Sequence, residues 1–220
     1  MFRRGLVRIA MDRTAGDPEH MFRSIPTHAF HVALDDGDLA SLRAIADPRA
    51  RVDFVFGNAD GRWAGDDYCY IEDCWDAIHR LMTWHPPVDC IDWTYGEAPL
   101  RHVVAGVEPI VDALLVKDVP LGVMRADGVD PPPPTPDGEK APRTYRIGLI
   151  GAADTRTVAE AMPEVGYGDF ETGYAAHCPP SWPMYGPRDA RFCFDAYRRL
   201  RRFFARHAGA GKHIVAAIEE

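Results

Sequence analysis

The sequence predicts a single α+β domain in which a mixed sheet is packed by amphipathic helices. Two long helical patterns, at 71–84 and 189–208, and several short apolar runs that suit strands carry this prediction. The chain of 220 residues is 46% apolar, which is enough for one sizeable core. We therefore expect the two helices to cover a shared apolar interior.

A strand followed by a helix opens the patterned part of the chain. Residues 28–34 (HAFHVAL) suit a strand, and helix N-terminal signals follow at Asp35, Asp36 and Asp38. Pro48 should stop that helix. The alternating run 51–56 (RVDFVF) favours a second strand, although another helical turn also fits.

The clearest helix of the first half covers 71–84. Trp75 lies in the middle of its apolar stripe and is interpreted as a core anchor. Acidic residues in the first turns complement the helix dipole, and Pro86 ends the helix. The stripe follows the helical spacing without exception: Ile71, Cys74, Trp75, Ile78, Leu81 and Met82.

The second half contains a strand, two helices and a final strand. Residues 145–150 suit a strand, and Asp154 or Thr155 can cap the helix that follows. Residues 213–218 suit the last strand. The long helix 189–208 presents its own apolar stripe: Cys193, Ala196, Tyr197, Leu200, Phe203 and Phe204.

Three stretches bear on the organisation of the chain. Residues 1–24 are poorly patterned and are predicted to be a poorly ordered or extended leader, so the domain covers 25–220. The proline-rich stretch 130–142 is predicted to be an exposed loop within that domain. Residues 103–105 and 110–116 are apolar pieces for which strand and helix both remain open.

One stretch resembles a known bacterial family. Residues 71–83 (IEDCWDAIHRLMT) are similar to the D-x-x-W-x-x-[IL]-H-x-[LM]-[LM]-T helix of the YfbM-like family, domain of unknown function 1877. Residues 99–110 (PLRHVVAGVEPI) are similar to the family segment that follows, and the resemblance spans roughly 28–218. It implies a small α+β fold, and it implies no activity because the family has none established.

The composition and the sequence motifs count against several classes of function. The net charge of −8 counts against a nucleic-acid-binding protein, which usually carries a basic surface. No apolar run is long enough to span a membrane, so no membrane association is expected. Five cysteines without a C-x-x-C pair suit reduced thiols in a cytoplasm. Zinc motifs, phosphate loops and the serine-hydrolase elbow are missing from the sequence, so no cofactor and no metal are expected.

One flank of the helix 71–84 carries candidate catalytic residues. Glu72, Asp76 and His79 fall on that flank, and a carboxylate near a histidine can orient it for acid–base chemistry. This would suit a small hydrolase or transferase. The alternative is that Glu72 and Asp76 serve the helix N-terminus while His79 hydrogen-bonds at the edge of the core. A catalytic His79 should line a deep pocket, whereas a structural one should be sealed in the core.

The C-terminal part carries candidate interface residues. Trp182 and Tyr185 lie in a segment rich in proline and aromatic residues, which suits an interface. Arg198 and Arg202 belong to a run of seven arginines between 188 and 206, which suits an acidic partner, a nucleic-acid backbone, or a solvated face that pairs with the acidic remainder of the molecule. These features favour a non-catalytic protein-binding module, immunity-like or regulatory, whose partner is another protein.

Overall fold

Five antiparallel strands form the centre of the molecule. The structure is a computed structural model that describes residues 28–57, 63, 65–71, 74–87, 95–116, 143–178 and 187–219. The strands pair in the order β2-β1-β5-β4-β3. Their bounds are β1 (His28–Leu34), β2 (Tyr68–Tyr70), β3 (Glu108–Val116), β4 (Arg143–Ile150) and β5 (His213–Glu219).

Seven α-helices accompany the sheet in the part of the chain that the structure describes. The longest, with 23 residues, is the C-terminal helix that was predicted from its apolar stripe. No helix among the described residues is long and apolar enough to cross a membrane. The helices are α1 (Asp36–Ala44), α2 (Pro48–Phe56), α3 (Cys74–Thr83), α4 (His102–Ala105), α5 (Ala152–Ala161), α6 (Tyr167–His177) and α7 (Pro187–Gly209).

The α+β class is therefore confirmed. The sheet differs from expectation in one respect, because all four described strand pairings are antiparallel rather than mixed. The last strand, β5, lies between β1 and β4 and pairs with both, for example Val32 with Val215 and Leu149 with Val215.

Alternating side chains of the strands separate two cores. Phe30 and Val215 point to one face of the sheet, where α1 and α2 cover them. Ala29 and Ile214 point to the other face, where α3, α5, α6 and α7 pack. Successive residues of a strand face opposite sides of a sheet, so a strand covered on both faces is apolar throughout. This explains why 28–34 and 213–218 are mostly apolar and do not alternate between apolar and polar residues.

The first two helices, α1 and α2, each begin at an aspartate that caps the helix N-terminus. Asp35 caps α1 by accepting a hydrogen bond from the Asp38 amide at 2.8 Å. The preferred strand at 51–56 is wrong, and the helical alternative is confirmed, since α2 covers this run. The Asp47 carboxylate caps α2, and Pro48 occupies its first turn. Proline suits a helix start because its missing N–H would lack a helical partner there.

The structure also assigns the segments for which the sequence left helix and strand open, and it shows where α5 begins. Residues 103–105 lie in α4, and 110–116 lie in β3. The N-cap of α5 is Gly151, so the expected caps Asp154 and Thr155 are wrong and lie inside the helix. The leader 1–24 and the proline-rich stretch 130–142 fall outside the described residues.

His31 is a buried polar side chain in the centre of β1. It is 1% exposed, and its Nε2 donates to the Val103 carbonyl oxygen at 2.6 Å. The rings of Phe203 and Phe204 lie beside it. Burial disfavours the charged imidazolium and lowers the pKa of His31 from 6.5 to about 4, against the opposing effect of the Val103 hydrogen bond.

This lowered pKa predicts a loss of stability at mildly acidic pH. Between about pH 6.5 and pH 4 the unfolded chain protonates His31 while the folded chain does not, so stability falls as the pH falls through this window. His31→Gln keeps an N–H donor for Val103 and does not titrate. The wild type should lose about 3 kcal/mol relative to this variant between pH 7 and pH 4 in urea unfolding. A gap that stays constant across this range would contradict the prediction.

Candidate functional site

Two of the candidate catalytic residues, Asp76 and His79, are buried inside the protein. His79 is 0% exposed, and its carbonyl oxygen accepts a hydrogen bond from Thr83 Oγ1 at 2.7 Å. The Asp76 carboxylate accepts a hydrogen bond from Arg80 Nε at 2.7 Å, within one turn of the same helix. Glu72 lies outside the described residues. The burial of Asp76 and His79 is what the structural interpretation expects, and a catalytic role for these residues stays a prediction.

Arg80 is the centre of this buried cluster. Its side chain is 1% exposed, although a charged residue in a helix usually faces water. Besides the Asp76 carboxylate, it donates through Nη1 to the Pro86 carbonyl oxygen at 3.2 Å. His85 Nδ1 lies 2.8 Å from the same oxygen and donates to it. The cluster thus ties the end of α3 to the chain that follows it.

Cys178 is the thiol that could have served as a nucleophile near this cluster. Burial raises its pKa to about 12, the negative charge of Asp76 adds to the shift, and Arg80 opposes it. The thiolate is the reactive form of cysteine. Cys178 therefore stays a neutral thiol at physiological pH and behaves as a core residue.

An exposed tryptophan closes α3. Trp84 is 71% exposed and has a φ of 55°, the left-handed conformation in which glycine is usual. The His85 amide donates to the Arg80 carbonyl oxygen at 2.9 Å, five residues back, as in a Schellman motif. The ring meets His177 edge-on, with 5.2 Å between the ring centroids. Backbone strain at a non-glycine residue of this kind often marks a functional position.

A surface groove of about 560 Å³ runs between the edge strand β2 and α7, and we call it the α7 groove. Its volume lies within the usual range for ligand sites. Two distant parts of the chain form its walls, joined because β2 pairs with β1 and α7 packs on the same face of the sheet. The lining residues are Gly65, Asp66, Tyr68, Cys69, Tyr70, Phe192, Arg199, Arg202, Phe203 and Arg206.

Three arginines give the groove a positive wall. Arg206 forms an ion pair with Asp66. Arg199 and Arg202 are exposed, and among the described residues no carboxylate lies within 4.0 Å of either guanidinium. The groove thus presents two cationic groups that the described part of the molecule leaves without an ion pair.

Of the four predicted interface residues, the structure describes Arg198 and Arg202, and one of these two lies in the groove. Arg202 lines the groove, whereas Arg198 lies outside it, with its guanidinium 5.7 Å from the centre of the Phe194 ring. Trp182 and Tyr185 lie outside the described residues. Sequence reasoning missed the opposite wall of the groove, because nothing in the local pattern of 65–70 signals its proximity to α7.

The fold is similar to that of a protein whose structure has been solved. The protein YfbM from Escherichia coli, a protein of unknown function, matches 87% of this chain and 99% of its own, with a TM-score of 0.50 and 12% sequence identity. The chain has a YfbM-like fold. No family model and no curated protein matches the sequence. At this identity the similarity to YfbM concerns the fold alone, so membership of the family named from the α3 motif stays a prediction.

The buried ion pair can be tested by substitution. Asp76→Asn should destabilise the protein by about 3–5 kcal/mol, because it leaves the buried Arg80 charge without its carboxylate. Asp53→Asn is the matched control, since Asp53 forms an exposed pair with Arg49 at the same spacing of four residues. That control should cost less than about 1 kcal/mol. Urea unfolding measures both, and equal effects would contradict the structural role of Asp76.

The strain at Trp84 gives a second stability test. Trp84→Gly and Trp84→Ala remove the same ring, but only glycine relieves the left-handed backbone. The glycine variant should be more stable than the alanine variant by about 1 kcal/mol in thermal unfolding. An alanine variant as stable as the glycine variant would show that Trp84 adopts a relaxed backbone in solution.

Proposed function

We propose that this protein is a non-catalytic protein-binding module, of a regulatory or immunity-like kind, that binds its partner through the arginine-bearing face of α7. The observation that carries the proposal is the pair of exposed arginines, Arg199 and Arg202, on the wall of the α7 groove. Arginine is enriched at protein interfaces and among the residues that dominate binding energy.

The charge of the whole chain strengthens this argument. The protein carries a net charge of −8, so acidic groups are abundant. Arg191, Arg201 and Arg206 each lie against one of them, namely Asp195, Glu164 and Asp66. Arg199 and Arg202 lie apart from such groups in the described residues. A positive strip on an acidic molecule steers an acidic partner to one place and orients it.

The buried flank of α3 supports a binding role over a catalytic one. A hydrolase or transferase that used His79 would need a route for substrate to that ring, and His79 is 0% exposed. Asp76 already holds the buried Arg80 charge. The nearby Cys178 is held as a neutral thiol. These groups account for the packing of α3 without a reaction.

Affinity purification of the tagged full chain at native expression tests the proposal. The wild type should retain a stoichiometric partner, and the double variant Arg199→Glu, Arg202→Glu should retain about tenfold less of it, since like charges at an interface repel. Arg156→Glu is the matched control, because Arg156 is exposed on α5.

The absence of any stoichiometric partner would contradict the binding role. Equal retention by the double variant and the wild type would contradict the arginine-bearing face of α7 as the binding surface. Thermal unfolding of each variant establishes that it is folded. All three substituted arginines are exposed, so the variants should keep the wild-type stability within about 0.5 kcal/mol.

A further inference from the structure

We infer that the ligand of the α7 groove is an acidic linear segment of a partner protein, and that Asp66 competes with this segment for Arg206. The inference rests on the proposed function and adds the chemistry of the partner and a built-in control of its affinity. It follows from the spacing of the arginines, from the apolar lining of the groove and from the way the Asp66 turn is held.

The spacing of the arginines suits an extended chain. Arg199, Arg202 and Arg206 lie three and four residues apart, so they share one face of α7 and span about 10 Å along its axis. In an extended segment, side chains two residues apart point the same way and lie about 7 Å apart. Alternate carboxylates of one short segment can therefore reach successive guanidinium groups, and arginine binds carboxylates with paired N–H donors.

Apart from the three arginines and Asp66, the lining of the groove is uncharged and largely aromatic or apolar. Phe192 is 43% exposed and lies seven residues before Arg199, on the same face of α7. Cys69 lies in the opposite wall, and burial raises its pKa to about 12 although Arg199 and Arg202 act to lower it. Cys69 thus provides no negative charge for these arginines. A segment with an aromatic or aliphatic residue beside its carboxylates complements both parts of the groove.

In the free protein the third arginine of the groove, Arg206, forms an ion pair with Asp66. Asp66 lies in a single helical turn, Gly65–Asp67, that leads into β2, and its carboxylate pairs with Arg206. The Asp66 side chain is 78% exposed and that of Arg206 is 55% exposed. An ion pair this open to water contributes about 1 kcal/mol at most. A carboxylate from a partner that is also bound by Arg199 and Arg202 can displace Asp66.

The turn does not depend on the Asp66 carboxylate. His207 Nε2 donates to the Asp66 carbonyl oxygen at 2.8 Å, and Lys212 Nζ lies 3.5 Å from Asp67 Oδ1. Both contacts tie the turn to the end of α7 and the residues after it. Asp66→Asn therefore removes the competing charge and leaves the wall of the groove in place.

A fluorescence anisotropy titration at low ionic strength tests the inference with a defined probe. The probe is a fluorescein-labelled peptide in which Phe is followed by alternating Glu and Ser, and the matched peptide carries Gln for each Glu. Asp66→Asn should bind the Glu peptide about two- to fivefold more tightly than the wild type. Arg202→Glu should bind it about tenfold more weakly or worse. Arg156→Glu should bind as the wild type does.

The role of Arg206 is isolated by a double variant. Asp66→Asn combined with Arg206→Gln should bind no more tightly than Arg206→Gln alone, because the gain needs the released guanidinium. Circular dichroism and thermal unfolding of Asp66→Asn should match the wild type, since His207 holds the turn.

Each contrary result has a distinct meaning. Unchanged or weaker binding by Asp66→Asn would overturn the competition, and equal binding of the Gln peptide would overturn the acidic ligand. Tighter binding of a single-stranded DNA of equal charge would overturn the choice of a protein segment. If affinity purification yields an arginine-dependent partner while these titrations fail, only this inference falls. If it yields no partner, the proposed function falls.

Discussion

The packing of α7 on the sheet determines the rest of the molecule. Leu200 and Phe204 are fully buried on the face of the sheet that also carries Ala29 and Ile214. Each such side chain contributes about 1.5–3 kcal/mol when it leaves water. Because a helix is rigid, burying this stripe fixes the opposite stripe in solvent beside β2. Because Leu200 and Phe204 are buried against the sheet, Arg199 and Arg202 on the other side of α7 are exposed to water.

The sequence revealed the elements whose pattern is dictated by burial. The apolar stripes of α3 and α7 recur at the helical period because one face of each helix is covered, so both helices could be predicted. Residues 51–56 alternate over only six positions, and the cap at Asp47 decides for a helix. The direction of the strands was not predictable, since an apolar run has the same pattern in either direction. In α6, apolar residues are scattered around the helix, and no stripe signals it.

The candidate site was predictable in part for the same reason. Arg202 stood out because arginines cluster on one stretch of the chain, and this cluster is visible locally. The opposite wall, with Asp66, comes from more than 130 residues earlier and is brought there by the pairing of β2 with β1. Arg80 shows the converse, since a charge in a helix suggests solvent exposure and only tertiary packing places it in the interior.

Polar groups have different roles on the two sides of α7. Toward α3, Asp76 and Arg80 satisfy each other in the interior, which restrains the end of that helix and leaves little charge to offer a ligand. Toward β2, the charged groups stand in water, where their mutual attraction is weak and readily exchanged for another. The same residue types therefore stabilise the fold in one place and remain available in the other.

The central position of β5 has a consequence for biosynthesis. This strand follows every other described strand in the chain, yet it joins β1 to β4. While the nascent polypeptide emerges from the ribosome, β1 can pair with β2 and β4 with β3, but the edge of β1 and of β4 that faces β5 stays unpaired until β5 is synthesised. Such waiting edges are the surfaces on which chaperones act and aggregation begins. The five-stranded sheet is therefore completed only after β5 has been synthesised.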